Sequence, residues 1–328
     1  MFKKILLGVV FFLIFLGCFS FYFSSLRTPH MIYGVTYSWE FAKWLGLDYQ
    51  KVFITLLDEW NFRYIRVPAQ WDSVAAVEGQ YDFRQLDWLM NEASKRGAKV
   101  ILAVGQKTPR WPECHAPIWT EGKTDEEYEG VLADYIGKTV ERYKNHPALE
   151  VWQVENEPFL PFGGDCRKFT SSHLHDELAL VKRLDPDHPT LVSDSGELST
   201  WLRTARVADL FGTTMYRVVW NKYMGYWNYD WLPPFHYRLK MWLNGSSIQR
   251  GYIMELQAEP WLPKNSFSQT DLAEQGKSMN LDRLKKNLDY AERVGMPRAY
   301  LWGAEWWYWL KERGEEEIPN FISELNKD

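Results

Sequence analysis

From about residue 31 onward, short apolar runs alternate with amphipathic segments along the chain. Eight apolar runs have the length of buried strands: MIYGVTY (31–37), FRYIRVP (62–68), KVILAVG (99–105), LEVWQVENEP (149–158), TLVSDSG (190–196), DLFGTTMYR (209–217), GYIMELQAEP (251–260) and AYLWGAEWW (299–307). Helical patterns lie between them, such as residues 82–97, 132–145 and 282–295, and Met296-Pro297 follows the last as a stop signal. The pattern therefore predicts eight strands, each followed by a helix.

Strands that alternate with helices predict parallel pairing and right-handed crossovers. Eight such units in about 300 residues match an α/β protein of the (β/α)8 or TIM-barrel type. A doubly wound open sheet is the alternative, but no Gly-rich phosphate loop follows the first predicted strand. No low-complexity linker interrupts the chain after residue 30, so we expect residues 28–328 to form a single domain.

Residues 1–27 have a different character. Lys3 and Lys4 precede an uncharged stretch of 22 residues from Ile5 to Leu26, which is long enough to cross a bilayer as a helix. A cleaved signal peptide usually has a shorter apolar core and small residues at the cleavage site. The two lysines favour a cytoplasmic N-terminus. We therefore expect a hydrophobic N-terminal helix that anchors the protein in the cell membrane with its domain outside the cytoplasm. A signal segment that leads to secretion is the alternative.

Composition narrows the function classes. The chain is 46% apolar and 25% charged, which is typical of a globular protein, and its net charge of −5 argues against a nucleic-acid partner. Aromatic residues make up 16% of the chain, which fits either a tryptophan-rich core or a cleft in which flat rings stack on sugars. No His, Cys and Asp cluster has metal-ligand spacing, so neither a metal nor another cofactor is expected.

The chemistry-bearing residues follow the predicted strands, where a barrel of this type carries its active site. Seven residues occupy these ends: Arg66, Gln106, Glu157, Ser195, Tyr216, Glu255 and Trp302. Glu157 ends the fourth strand and Glu255 the seventh, and these strands face each other across a barrel mouth. Two carboxylates across a narrow cleft are the apparatus of glycoside hydrolysis, and a separation of about 5–5.5 Å gives a retaining enzyme.

The motif VENEP at the end of the fourth strand (154–158) resembles the Asn-Glu-Pro signature of clan A glycoside hydrolases. This clan includes the family 5 cellulases and mannanases and the family 42 β-galactosidases. The resemblance implies that Glu157 is the general acid/base and that Asn156 holds the substrate 2-hydroxyl. The segment YIMELQ is similar to the segments that carry the nucleophile of these families, which implies that Glu255 is the nucleophile.

Other segments carry the same resemblance. Residues 64–112 closely resemble the second and third βα units of family 42, which implies that Arg66 is the active-site arginine near the nucleophile. ADLFGTTMYR resembles the sixth strand, whose tyrosine, here Tyr216, hydrogen-bonds the nucleophile. YLWGAEWW resembles the eighth strand, whose tryptophan, here Trp302, floors the sugar subsite. The resemblance spans nearly all of residues 31–310 and implies a retaining β-glycosidase with a two-glutamate double-displacement mechanism.

Two neighbouring glutamates compete with the proposed pair. The family register favours Glu157, so we expect Glu155 to be a salt-bridged or hydrogen-bonded barrel residue. Glu255 and Glu259 lie on the same face of an extended strand. Glu255 directly follows an apolar run, as the family nucleophile does, so Glu259 is expected to bind substrate together with Trp261. The continuation of this strand departs from both families and leaves the choice of nucleophile open.

Five tryptophans are candidate platforms for stacking on a sugar: Trp71, Trp111, Trp261, Trp302 and Trp306. For each of them, a place in the core is the alternative. Cys114 and Cys166 lie in the loops after the third and fourth strands, which are neighbours on the same face. We expect a disulfide that braces the cleft wall, as oxidising compartments allow, with two free thiols as the alternative.

The leading hypothesis is therefore a retaining glycoside hydrolase that acts on β-linked oligo- or polysaccharides. A transglycosylase with the same residues is the first alternative, and a non-catalytic carbohydrate-binding barrel is the second. The presence of both glutamates argues against the second alternative. The sugar, the linkage and the choice between exo and endo action stay open.

Overall fold

The computed structural model describes residues 2–24, 31–161, 163–164, 166–264 and 266–327. Its strands are β1 (Ile32–Thr36), β2 (Tyr64–Pro68), β3 (Lys99–Val104), β4 (Leu149–Val154), β5 (Thr190–Asp194), β6 (Leu210–Met215), β7 (Val218–Asn221), β8 (Gly225–Asn228), β9 (Gly251–Gln257) and β10 (Arg298–Trp302). Eight of them close into a barrel in the order β1-β10-β9-β6-β5-β4-β3-β2, with parallel neighbours throughout. The predicted eight-stranded parallel barrel is confirmed.

The register of the strands brings the candidate residues toward one end of the barrel. Thr36 on β1 pairs with Trp302 on one side and with Arg66 on the other. Across the barrel, Thr214 on β6 pairs with Glu255 on β9. Because all eight strands run in the same direction, their carboxyl ends share one rim, and the loops that follow them form the walls of a cleft.

Side chains from five barrel strands form a core cluster separate from the larger core of the molecule. This cluster consists of Ile101, Val151, Leu191, Met254 and Tyr300. Alternate residues of a strand point to opposite faces, so a cluster of this kind fills the barrel interior while the larger core packs the outer faces against helices. At the opposite end from the cleft, Arg298 and Glu150 form an ion pair of 2.8 Å. The interior of the barrel is thus filled with side chains, and the cleft lies at one end of the barrel.

Helices cover the outside of the barrel. They are α1 (Phe2–Ser24), α2 (Trp39–Trp44), α3 (Tyr49–Asp58), α4 (Trp71–Val74), α5 (Arg84–Lys95), α6 (Asp125–Tyr143), α7 (Ser171–Leu184), α8 (Phe235–Leu243), α9 (Leu272–Gly276), α10 (Leu281–Val294), α11 (Ala304–Lys311) and α12 (Glu317–Glu324), with short 3₁₀ turns at Ile118–Thr120 and Ile248–Arg250. The helices predicted at 82–97, 132–145 and 282–295 correspond to α5, α6 and α10. Helix α6 begins earlier than predicted because Thr124 and Glu127 form a capping box.

The predicted strands and helices were wrong in two places. The described residues between β5 and β6, 195–209, contain turns and no helix. The eighth predicted strand was too long, because β10 ends at Trp302 and α11 begins at Ala304. Gly303 allows this abrupt change, since a Cβ there would lie 2.5 Å from the carbonyl oxygen of Ala258.

An antiparallel hairpin of β7 and β8 is inserted after the sixth barrel strand. The side chain of Gln257, at the end of β9, anchors its base. The Gln257 carbonyl accepts from the backbone N–H groups of Arg217 (2.8 Å) and Val218 (2.9 Å), and its amide donates to the carbonyl of Val218 (2.6 Å). The hairpin is therefore fixed to the strand that carries Glu255.

The N-terminal segment forms the helix α1, and the last residues of the predicted segment, 25–27, lie outside the described residues. In the described part of the chain, no helix meets the length and apolarity that a membrane crossing requires. The predicted membrane anchor is therefore not supported.

Cys114 and Cys166 form a disulfide with a Cα–Cα distance of 5.4 Å, which confirms the predicted pairing. The bond joins the loop after β3 to the loop after β4 across 52 residues of sequence. It therefore ties together two neighbouring loops on the cleft side of the barrel.

The Cys166→Ser variant should lower the free energy of unfolding by about 2–4 kcal/mol, because the open chain gains conformational entropy when the cross-link is lost. Denaturant unfolding of the oxidised protein measures this change. The free thiol of Cys18 provides the matched control. Equal losses in Cys18→Ser and Cys166→Ser would contradict a stabilising cross-link.

Candidate active site

Arg66 is the centre of a buried polar network at the rim. Its side chain has no solvent exposure and bonds residues on two other strands or their ends. The Nε atom donates to Gln153 Oε1 (2.7 Å), Nη1 to Glu255 Oε1 (3.0 Å) and Nη2 to Asn156 Oδ1 (2.6 Å). Because the guanidinium is planar and rigid, these bonds fix the relative positions of the residues that β4 and β9 supply.

Two neighbours fix the carboxylate of Glu255. Its Oε1 accepts from Arg66, its Oε2 accepts from the Tyr216 hydroxyl at 2.8 Å, and the residue is 2% exposed. A buried carboxylate is tolerated when a cation and hydrogen bonds compensate for lost hydration, and here both oxygens have partners. The carboxylate is therefore oriented beside a cation, as a nucleophile requires.

Glu157 lies in a different electrostatic environment. The Thr214 hydroxyl donates to its Oε1 at 3.1 Å, and the residue is 4% exposed. Burial raises the pKa of Glu157 well above its ordinary value, and the negative charges of Glu113 and Glu255 raise it further. A carboxyl group in this environment keeps its proton near neutral pH and can donate it.

The turn after β4 places Glu157 by means of two left-handed residues. Glu155 has a φ of 63° and Glu157 a φ of 46°, a conformation that non-glycine residues seldom adopt. The Glu155 carboxylate offsets this cost by accepting from the backbone N–H groups of Gln106 (2.6 Å) and Lys107 (2.9 Å). Burial raises the Glu155 pKa to about 7, although these N–H groups act against the rise. Glu155 is thus the hydrogen-bonded barrel residue that was expected.

The side-chain amide of Asn156 has hydrogen-bond partners at its oxygen but, among the described residues, not at its nitrogen. Its Oδ1 accepts from Arg66 (2.6 Å), Ser193 (2.9 Å) and Gln153 (3.2 Å). Its Nδ2 is buried and has no partner among the described residues. Buried donors in native structures normally have partners. The Nδ2 donor of Asn156 is therefore uncommitted within the described part of the chain.

A cleft of about 990 Å3 lies beside this network. Three of the five candidate stacking tryptophans line it, namely Trp111, Trp261 and Trp302. The other two, Trp71 and Trp306, are buried in the core, so their core alternative was right. Trp261 packs edge-to-face on Tyr216, with ring centroids 5.1 Å apart.

Trp302 lines the cleft but is not a bare platform. The guanidinium of Arg110 lies over its ring, 4.3 Å from the centroid, and the residue is only 8% exposed. Glu259 also lines the cleft, where its Oε1 accepts from Arg110 at 2.5 Å. The expected substrate-binding residues Glu259, Trp261 and Trp302 are therefore gathered in one cleft, with an arginine that sequence reasoning missed.

Two of the seven strand-end residues have other partners. Gln106 accepts from the Tyr128 hydroxyl (2.9 Å), and Ser195 accepts from the backbone N–H of Leu198 (3.2 Å). These contacts join Gln106 to a helix residue and Ser195 to the loop that follows it. Sequence reasoning also missed Gln153, Thr214 and Glu113. The alternation of residues along a strand could have indicated Gln153, because it lies two and four residues before Glu155 and Glu157. Glu113 lies in a loop, where no such pattern indicates a site residue.

Glu113 brings a third carboxylate to the site. It lines the cleft, and Lys107 Nζ lies 3.5 Å from its carboxylate. Burial raises the pKa of Glu113 to about 7, against the influence of Lys107. Glu113 therefore becomes charged within the physiological pH range and then acts on Glu157.

The fold is shared with solved structures of glycosidases. A β-galactosidase from Bacillus circulans sp. alkalophilus superposes with a TM-score of 0.57 and 16% identity over 83% of this chain and 50% of its own. A GH5_18 protein from Streptomyces cattleya, in complex with Manβ1-4GlcNAc, gives a TM-score of 0.59 and 15% identity over 83% of this chain and 70% of its own.

Sequence relatives match a shorter part of the chain. A probable mannan endo-1,4-β-mannosidase F of Aspergillus flavus is 27% identical over 128 residues, which are 36% of this chain and 26% of the relative. A β-galactosidase of an Arthrobacter species is 31% identical over 123 residues, 32% of this chain and 18% of the relative. The chain thus matches about a quarter or less of the length of these curated relatives.

The model of the glycoside hydrolase family 42 β-galactosidases matches residues 38–185. This match includes Arg66, Asn156 and Glu157 and ends before Tyr216 and Glu255. Barrel, family match and relatives together fit a clan A glycoside hydrolase, and the predicted resemblance is confirmed.

The Glu113→Gln variant should move the alkaline limb of the pH–activity profile to lower pH by about 0.5–1 unit. In its predicted role as general acid, Glu157 must be protonated to donate, so activity is expected to fall as pH rises through its pKa. Removing the Glu113 charge removes one cause that raises this pKa. Steady-state kcat/KM from pH 4 to pH 10 measures the shift.

A surface Lys–Glu pair provides the control. Glu78 pairs with Lys123 at 2.6 Å, and its side chain is largely exposed. The Glu78→Gln variant therefore removes the same charge as Glu113→Gln, but from a site that is far less buried. This variant should keep the wild-type profile. An unchanged alkaline limb in Glu113→Gln would show that the Glu113 charge does not act on the acid.

Proposed function

We propose that the protein is a retaining glycoside hydrolase that cleaves β-glycosidic bonds, with Glu255 as nucleophile and Glu157 as general acid/base. The observation that carries the proposal is the contrast between the two carboxylates. Glu255 is paired with Arg66 and Tyr216, whereas Glu157 is desolvated and lies near like charges. Environments that separate two titratable groups in this way assign the base and the acid.

In the first step, a Glu255 oxygen attacks the anomeric carbon as the bond to the leaving oxygen breaks. Glu157 gives its proton to that oxygen, so the leaving sugar departs as a neutral alcohol. Arg66 and Tyr216 keep the attacking carboxylate oriented. The product of this step is a glycosyl ester on Glu255 and an ionised Glu157.

In the second step, Glu157 takes a proton from water, and the water oxygen attacks the anomeric carbon. Esterification has removed the negative charge of Glu255, so the pKa of Glu157 falls and the carboxylate suits its role as a base. Cleavage of the ester restores Glu255 as an anion and Glu157 as an acid. Two inversions at the anomeric carbon give net retention.

The remaining site residues are proposed to bind the sugar. The unpaired Nδ2 of Asn156 supports a hydrogen bond to the 2-hydroxyl. The cleft-lining positions of Trp261, Trp302 and Glu259 support contacts with the rest of the substrate. The 2.5 Å contact of Glu259 with Arg110 favours Glu255 over Glu259 as nucleophile, because it engages Glu259 with a different cation.

We also propose that the domain acts outside the cytoplasm. The support is the Cys114–Cys166 disulfide, since such bonds persist in oxidising compartments. This location agrees with the secreted alternative stated from the sequence.

Glutamine variants should separate the two roles by their dependence on the leaving group. Glu157→Gln should lose about 10²–10⁴-fold in kcat/KM on alkyl glycosides and disaccharides, whose leaving groups need a proton, and much less on dinitrophenyl glycosides. Glu255→Gln should lose activity on both kinds of substrate. Steady-state rates on paired substrates of one sugar provide the test. The reverse pattern would exchange the two roles.

The stereochemistry of the first product tests the retaining mechanism. Proton NMR during hydrolysis of a nitrophenyl β-glycoside should show the β-anomer first, with the α-anomer following by mutarotation. A screen of β-galactosides, β-mannosides, β-glucosides and soluble mannan identifies the substrate to use. Early α-product would indicate inversion, and dominant transfer to an added sugar acceptor would indicate a transglycosylase.

A further inference from the structure

Arg110 adopts a backbone conformation in which glycine would be free of strain. Its φ is 89°, in the left-handed region, yet the residue carries a long side chain that is 2% exposed. The guanidinium lies 4.2 Å from the ring centroid of Phe41 and 4.3 Å from that of Trp302. The turn alone does not require this side chain, so its role lies where the guanidinium is placed.

The guanidinium contacts two carboxylates that differ in one respect. Glu305 accepts from Arg110 with Oε2 and from the backbone N–H of Ser38 with Oε1 (2.7 Å), so both of its oxygens have partners. Glu259 accepts from Arg110 with Oε1, while its Oε2 is buried without a partner among the described residues. Glu259 lines the cleft and Glu305 does not. Glu305 therefore holds the arginine, and Glu259 keeps a free acceptor at the cleft.

Arg110 keeps a free donor beside that acceptor. Its Nε is buried and has no partner in the described part of the chain, while Nη1 and Nη2 are engaged. Buried polar atoms without partners are rare in native proteins. One free donor and one free acceptor on adjacent cleft-lining side chains match two neighbouring sugar hydroxyls, since a hydroxyl can both donate and accept.

The charges of the group select against an anionic ligand. Arg110 supplies the positive charge of the group, and two carboxyl groups, those of Glu259 and Glu305, share it. Among the described residues, the cleft is lined by four carboxyl side chains, Glu40, Asp72, Glu113 and Glu259, but by only one lysine, Lys222, and by Arg110, which is already paired. A sugar carboxylate next to the free oxygen of Glu259 would therefore lie among an excess of carboxyl groups. Repulsion of this kind is a means by which a site rejects a competitor that fits by shape.

We propose that Arg110 and Glu259 form a hydroxyl-recognition pair that makes the cleft selective for neutral sugars and rejects uronic acids. The proposal rests on the proposed glycosidase function and adds the substrate class. Arg110, which covers Trp302, supplies a hydrogen-bonding surface where a bare stacking ring was expected.

The selectivity is tested with p-nitrophenyl β-glucoside, β-galactoside, β-mannoside and β-glucuronide. The Glu259→Gln and Arg110→Lys variants should lose about 10-fold or more in kcat/KM on the best neutral probe, because a buried partner is removed. The glucuronide-to-glucoside ratio of kcat/KM should rise by about 10-fold in Glu259→Gln, since the repelling charge is gone. Unchanged values on the neutral probes, or an unchanged ratio, would overturn the proposal.

The chain offers a matched control at the opposite end of the barrel. Arg298 pairs with Glu150 at 2.8 Å and stacks 4.3 Å from the ring centroid of Tyr64. Glu150→Gln and Arg298→Lys therefore make the same substitutions in a similar environment away from the cleft. These variants should keep the wild-type glucuronide-to-glucoside ratio. If the glucuronide-to-glucoside ratio rose equally in all four variants, its cause would be a general loss of rigidity and not the loss of the charge at Glu259.

A binding measurement separates this proposal from the hydrolase proposal. Calorimetry on the Glu255→Gln chain, with and without Glu259→Gln, measures the affinity for mannotetraose, cellotetraose and β-1,4-linked tetramannuronate, which differs from mannotetraose by its carboxylates. We expect binding of a neutral tetrasaccharide that weakens about 10-fold or more with Glu259→Gln. Such binding in a wild-type protein without turnover would overturn the hydrolase and uphold the pair. No binding of either neutral tetrasaccharide would overturn the pair.

Discussion

The geometry of the cleft depends on the buried guanidinium of Arg66. Without its partners, a charge at this depth would cost several kcal/mol in lost hydration. The partners are Gln153 and Asn156, from the fourth barrel strand and its turn, and Glu255 from the seventh. The requirement to satisfy one cation thus brings opposite sides of the barrel into register. Because the guanidinium is rigid and planar, small displacements of any partner strand break more than one bond.

The same cation divides the carboxylates into two classes. Glu255 receives its compensation from Arg66, while Glu157 receives a hydroxyl from Thr214 and the repulsion of its neighbours. Two identical side chains therefore differ in proton affinity because of position alone. Glu155 shows a third outcome, since two backbone N–H groups use its carboxylate to hold the turn. The cluster of charges after β4 thus contains one carboxyl group that holds the turn, that of Glu155, and one that faces like charges, that of Glu157.

The barrel could be predicted because its cause is local and repeated. Eight apolar runs with polar ends indicate parallel strands, and Glu157, Glu255 and Arg66 lie at those ends. The loops could not be predicted in the same way. Arg110 and Glu113 reach the cleft through turns whose course depends on residues with a left-handed backbone conformation. It also depends on a disulfide between Cys114 and a cysteine 52 residues further along the chain. Trp302 was placed on the correct strand, but the guanidinium that covers its ring comes from another loop.

The hairpin of β7 and β8 is joined to the barrel through one amide side chain, Gln257, two residues beyond Glu255 on the same strand. Its strands pair with each other and not with the barrel. Residues at the tip can therefore diverge without disturbing barrel closure, while the base stays tied to the strand that carries Glu255. This insertion is a natural place for grafting loops from other glycosidases, provided that the graft keeps the two backbone N–H groups and the carbonyl that Gln257 recognises.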